Sequence, residues 1–234
     1  MEIYGQNIGA VQIVAAEYKT SGKRNVFVQD NSNPMDYVPL GGAFKPMFNA
    51  GEKAFQGDLC EFSLDNQTIM VFRTFKVVAA VTAESTTIKV QGGAYRHIPH
   101  AGMNLMKAPS TLTGAGTAGA IANVVAKDDA TLGHIYELTI TAGALGTLSV
   151  GDILVEAVEA GSSKKMLVSN PNTFIKNDIV FNYPMNVAAD PAVNGAIMTY
   201  APVQHAKLYK AKMQDLPACV AAINKSRIDG LFEL

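Results

Sequence analysis

Tyr136-Glu137-Leu138-Thr139-Ile140-Thr141 alternates strictly, with Tyr136, Leu138 and Ile140 on one side and Glu137, Thr139 and Thr141 on the other. A period of two is the mark of a strand with one face in a core and one in water. Ala142-Gly143-Ala144-Leu145-Gly146-Thr147 follows, with two glycines able to take the positive φ of a chain reversal. The chain leaves through Gly151-Asp152 into Ile153-Leu154-Val155-Glu156. Leu132 to Glu156 therefore reads as a hairpin: two strands and the turn between them.

The step that opens the second strand recurs. Gly57-Asp58 precedes Leu59-Cys60-Glu61-Phe62, and Asn177-Asp178 precedes Ile179-Val180-Phe181. Gly or Asn tolerates the left-handed backbone of a sharp turn, and Asp accepts bonds from nearby backbone amides. The spacing of the three steps is uneven, so they are a recurring device and not a repeat of fixed length. They point to an all-β fold, an antiparallel barrel or sandwich of short strands.

Outward from these steps, residues 8–20 and 24–29 read as two strands around the turn Thr20-Ser21-Gly22-Lys23. Residues 57–92 form a second β block, a meander of neighbouring antiparallel strands with no βαβ rhythm. From 94 to 130 the alternation weakens, and Leu112 to Ala122 is a run of Thr, Gly and Ala suited to a loop. Ala160-Gly161-Ser162-Ser163 reads as a turn, Met166 to Val168 as a short strand, and Ala196 to Tyr200 as a late one. At Asp215 the style changes. Asp215 can cap a short C-terminal helix that begins at Leu216-Pro217 and runs to about Lys225.

This organisation divides the chain into strands and an extended arm over 1–50, a β body over 51–205, and a tail over 206–234. Within the body, 94–130 is a candidate boundary between two β subdomains. The arm is the least regular part. Pro34, Pro39 and Pro46 forbid a central strand or helix interior there, while Tyr37, Phe44, Met47 and Phe48 are scattered among them. Two arrangements fit. A compact loop can fold its aromatics back onto its own core. An extended arm can lay Tyr37, Phe44, Met47 and Phe48 on a neighbouring subunit as interface anchors.

With 234 residues the chain is long enough to bury a sizeable core. Its net charge of −1 advertises no basic face for nucleic acid or anionic lipid. Charged residues are 17% of the chain, below the roughly 25% of an average soluble domain, and small and β-branched residues fill the difference. Such a surface suits large permanent protein contacts. No apolar window is long enough to span a membrane, and Met1 to Asn7 has no secretory character, which sets the expectation of synthesis in a reducing cytoplasm. Cys60 and Cys219 are then expected as buried free thiols.

Chemistry-bearing patterns are few. Gly114-Ala115-Gly116-Thr117-Ala118-Gly119 spells G-x-G-x-x-G, but Pro109 stands where the feeding strand should be and no helix or parallel α/β repeat surrounds it. His97 and His100 flank Pro99, which prevents helical convergence, and His134 and His205 have no Cys or acidic cluster beside them. No metal site and no cofactor are expected. There is no G-x-S-x-G and no H-E-x-x-H, and Asp128-Asp129 fits a turn that binds its own backbone. Nothing votes for catalysis, so no catalytic residue is named and a non-enzyme is expected. Lys164-Lys165 and the lysines from Lys207 to Lys212 are not interleaved with aromatics on a clear strand face, so nucleic acid is not an expected partner.

The strands opened by Gly57-Asp58 and Gly151-Asp152, the Thr/Ala/Gly-rich middle from Thr111 to Ala122, and Val81-Thr82-Ala83-Glu84-Ser85-Thr86-Thr87-Ile88-Lys89-Val90 together resemble tailed-bacteriophage virion proteins. The type is the small β proteins that decorate capsids or form the base of head fibres, and the resemblance covers about residues 50 to 160. It implies a structural role at the capsid surface after assembly in the host cytoplasm. It also implies a homo-oligomer, often a trimer, seated on the major capsid protein. The alternative within the same setting is a receptor- or carbohydrate-binding module of a fibre or tail.

Overall fold

In a computed structural model of the chain, residues 7–8, 11–12, 36–37, 41–45, 48–49, 51–141, 143, 145–181, 199–205, 208–209, 213–222 and 231–232 are described. The expected strand over 24–29, the Thr20–Lys23 turn and Met47 lie outside them, as do Lys207, Lys210 and Lys212. The fold is all-β, and no helix among the described residues is long and apolar enough to cross a membrane.

The chain forms two units, and the second is inserted into the first. Unit 1 comprises 1–71, 171–213 and 224–234; unit 2 comprises 72–170 and 214–223. In chain order unit 1 begins with β1 (Asn7–Ile8), β2 (Val11–Gln12), β3 (Asp36–Tyr37), β4 (Gly42–Lys45), β5 (Lys53–Ala54), β6 (Leu59–Ser63) and β7 (Thr68–Val71). Unit 2 follows with β8 (Thr74–Lys76), β9 (Thr87–Gln91), β10 (Asn104–Lys107), β11 (Ala115–Asp129), β12 (Gly133–Ile140), β13 (Ile153–Glu156) and β14 (Gly161–Lys165). The chain then returns through β15 (Thr173–Phe174), β16 (Ile179–Val180), β17 (Thr199–Tyr200), β18 (Val203–His205) and β19 (Leu208–Tyr209), and β20 (Leu231–Phe232) closes it.

Unit 2 is a closed barrel. Its strands run in the order β8-β13-β10-β11-β12-β9. The Val77–Val90 bridge closes the circle, with the Val78 amide donating to the Lys89 carbonyl at 3.0 Å. All pairs are antiparallel, and closure leaves β8 and β9 no open edge where they meet. The alternation that marks Tyr136, Leu138 and Ile140 is the inward face of β12. Ile88 and Val90 of β9, Phe75 of β8, Leu105 of β10, Ile121 of β11 and Leu154 of β13 join them in one core.

Unit 1 carries a sheet in the order β17-β4-β7-β6-β15-β18-β3, antiparallel except for the parallel β4–β7 pair. Its core gathers Phe44, Phe48, Cys60, Phe62, Ile69, Val71, Ile175, Ile179, Phe181 and Tyr200.

The two Gly-Asp steps act as expected; the Asn177-Asp178 step does not, since Asn177 is not in the left-handed region and its aspartate bonds far along the chain. Phe55-Gln56-Gly57-Asp58 and Ser149-Val150-Gly151-Asp152 are the same turn. The fourth amide donates to the first carbonyl (3.0 and 3.1 Å), and the aspartate accepts the first residue's amide (2.6 and 2.8 Å). Gly57 at φ 84° and Gly151 at φ 92° hold the third place, where a type II turn requires positive φ. Asp178 reaches across to the first of these turns and accepts the Gln56 amide at 2.7 Å.

Several expectations are corrected. β12 and β13 are strands, but not partners of each other: β12 lies between β11 and β9, and β13 between β10 and β8. The glycine-rich run read as a loop is mostly the first half of β11, the longest described strand, and the units divide at 71/72, 170/171, 213/214 and 223/224. The turn expected at Ala160 to Ser163 opens β14, and Met166 to Val168 contributes only the Ala157–Met166 bridge. The C-terminal helix is a single 3-10 turn, Ala218–Ala222. Asp215 does not cap it, because the carboxylate is held by Arg96 at 2.5 Å and Lys76 at 3.6 Å.

Candidate functional site

The densest buried chemistry lies where β8 begins. Thr74 pairs with Val155, so Arg73 and Glu156 stand opposite one another one step further on. The guanidinium grips the carboxylate by two bonds, Nε to Oε2 and Nη2 to Oε1, each 2.9 Å. Both residues are buried, Arg73 at 2% exposure and Glu156 at 9%. Beside them buried His97 uses Nδ1 to accept the Thr74 amide at 3.2 Å, which places the proton of the neutral ring on Nε2. Each charge faces its opposite within a planar fork, the arrangement that makes burial of two ions tolerable. This is a clamp between β8 and β13. No composition or spacing marks it, because Arg73 and Glu156 are brought together only by the strand pairing.

His100 and His134 give no ligand set among the described residues. The His100 amide donates to Met103 Sδ at 3.3 Å, and His134 Nδ1 lies 2.8 Å from Asp128 Oδ1 on an exposed turn. Among the described residues no three His, Cys, Asp or Glu side chains are grouped to hold a metal ion. The glycine run offers no cradle for phosphate either. β11 is flanked by β10 on one edge and by β14 on the other, and Ala115, Gly116 and Ala118 are spent in that ladder. Cys60 and Cys219 are buried free thiols, and burial, with Asp58 nearby, pushes the Cys60 thiol well above its ordinary range.

The four residues named as anchors are placed as follows. Phe44 is 0% exposed and Phe48 1%, and both lie inside the core of unit 1. Phe48 stacks on Phe181 with ring centroids 4.1 Å apart, and Phe44 meets Phe181 edge-on at 5.3 Å and Tyr200 at 5.8 Å. Phe44 and Phe48 thus fold back onto their own core and are not available as exposed anchors. Tyr37 lies in β3, paired with Val203.

A different surface stands out. β11 outlasts its pairing with β10, which ends near Ile121, and continues to Asp129 beside β12 alone. From Val125 to Asp128 the β11 strand is exposed on both faces, Val125 and Lys127 on one, Ala126 and Asp128 on the other, while the β12 partners Ile135 and Tyr136 are buried. Val125 is 40% exposed. At the tip the Asp129 carboxylate accepts the Thr131 and Leu132 amides at 2.9 and 3.1 Å, which, with Lys89 nearby, holds it below the usual aspartate range. Lys127 is tied to Glu137 at 2.7 Å. The sequence carried a signal for this element, the Val124-Val125 pair inside a run otherwise too small-sided to build a core.

Comparison of the chain with protein-family models, with curated proteins and with solved structures finds no match in any of the three.

Proposed function

We propose that the chain is a structural protein of a tailed-phage virion, which decorates or stabilises the capsid or forms the base of a head fibre. It works through lasting contacts with the major capsid protein and with copies of itself. The observation that carries this reading is the ribbon of β11 and β12, where β-branched Val125 stands in water on a strand with no neighbour beyond it among the described residues. β12 is backed by β9, but the far edge of β11 is open, and an open strand edge gains most when another protein covers it. The low charge content favours burial of the surrounding surface. The virion setting rests on the resemblance of the strand steps and the Thr/Ala/Gly-rich middle.

The test is co-sedimentation with shells assembled from the capsid protein of the same phage. The expected result is saturable binding at a fixed number of copies per capsomer that survives washing. Absence of any shell binding overturns the proposal. A receptor- or glycan-binding reading is favoured by one observation. Tyr95, 42% exposed in the turn after β9, precedes Arg96 in the chain, and an exposed aromatic ring offers an apolar face with a polar tip on which a sugar can stack. A glycan array probed with the intact chain and with Tyr95→Ala separates the two readings.

A further inference from the structure

We infer that the outer half of β11 is a self-pairing edge: two copies of this chain join antiparallel through Val124 to Ala126, making one continuous sheet from both ribbons. This goes beyond the virion reading and needs no shell protein.

The direction of each backbone group follows from bonds on the neighbouring strands. The Ile140 amide donates to the Thr86 carbonyl, and the His134 carbonyl accepts the Gly92 amide, so even-numbered residues of β12 point at β9. Odd-numbered residues of β12 therefore point at β11, where Ile135, Glu137 and Thr139 face Lys127, Val125 and Asn123. Val124, Ala126 and Asp128 must then turn their N–H and C=O groups away from β12. Ile121 shows what that side can do, since its amide and carbonyl are bonded to Met103 and Gly102. The bulge between Ile121 and Asn123 resets the alternation, and past it no described strand takes up these groups. An edge of this kind is a template for another strand.

The side chains along the edge say which strand. In an antiparallel self-pair the residues facing across must both point inward, which leaves registers centred on a single residue. Centring on Asp128 opposes two acids, and centring on Lys127 opposes two ammonium groups. Centring on Ala126 sets each Val125 against a Lys127. Centring on Val125 puts the two exposed valines face to face, Lys127 beside Asn123, and Val124 against Ala126, with no like charges opposed. It also forms four N–H···O bonds through Val124 and Ala126 of each copy. Lys127 does not guard the edge, because Glu137 of its own ribbon holds the ammonium. The contact is short and two-fold, so it joins chains in pairs and is concentration-dependent; a three-fold assembly needs another surface.

The experiment is disulfide trapping in the full chain. Cys60 and Cys219 are buried and do not compete. In the Val125-centred register Val125 faces its own copy as a non-hydrogen-bonded pair, with Cα atoms about 4.5 Å apart, within disulfide reach. Val125→Cys is expected to give a covalent dimer under mild oxidation. Lys127→Cys, whose two copies are displaced by four residues along the strands, is expected to stay monomeric. Adding Ala126→Pro to Val125→Cys removes an edge amide that the chain's own ladder does not use, and is expected to abolish the dimer. Equal trapping at 125 and 127, trapping at neither, or full trapping with proline present would each overturn the inference.

Discussion

Arg73 and Glu156 show how one pair of side chains can hold a barrel seam. Their charges face each other and are nearly water-free, so removing one takes from the other the opposite charge that makes its burial tolerable. Arg73→Met or Glu156→Gln alone should destabilise unit 2 by about 3–5 kcal/mol in urea unfolding. The double change to apolar residues should recover most of that loss. If the double variant is as weak as the sum of the single ones, the clamp is not a coupled pair. Asp152 works at the same scale. Burial pushes its carboxyl up, but the Lys107 ammonium and the Ser149 amide outweigh this and hold it below the ordinary value of 3.8. A group depressed on folding stabilises the fold above its unfolded value, and that contribution is lost as pH falls through the lower folded value. Asp152→Asn should therefore lower stability near neutrality and leave a shallower acid decline, seen as a smaller difference between urea midpoints at neutral and acid pH.

Among the elements, β11 best separates what a sequence announces from what partners impose. The strict alternation of β12 made its strand character and inward face legible, and the Gly57-Asp58 and Gly151-Asp152 steps were readable because their turns are local. β11 was not, because Ala115 to Ala120 has no large side chain to alternate. The small residues serve a close approach instead: a Cβ on Gly116 would come within 2.8 Å of Met106 Cε. That neighbour is the end of a flexible side chain. A Cβ on Gly42 of β4 would meet the Gln67 carbonyl carbon and oxygen and Phe62 Cε2 at 2.9 Å, and the backbone cannot yield. Gly42→Ala should cost about 1–3 kcal/mol by overpacking, and Gly116→Ala less, as compared by urea titration. Phe44 and Phe48 illustrate the same limit. Their prolines were visible, but Phe181 and Tyr200, which complete their core, come from far along the chain. The Arg73–Glu156 clamp was invisible for that reason too.

For the whole molecule, the insertion has a simple geometric basis. Val71 and Thr173 both pair with Cys60, on opposite sides of β6, so the chain leaves unit 1 and re-enters it two strand spacings apart. Unit 1 can close its sheet across that gap while unit 2 closes a barrel with a core of its own. What the described strands leave open is the far side of β11, and the proposal that another protein covers the chain rests there. Amide hydrogen exchange, followed from dilute to concentrated solution, tests this most directly. Among the described residues the Val124 and Ala126 amides have no partner, whereas those of Val125 and Lys127 face β12. Protection of Val124 and Ala126 that rises with concentration is the predicted result. Rapid exchange at these two positions at every concentration, with Val125 and Lys127 protected throughout, would contradict it.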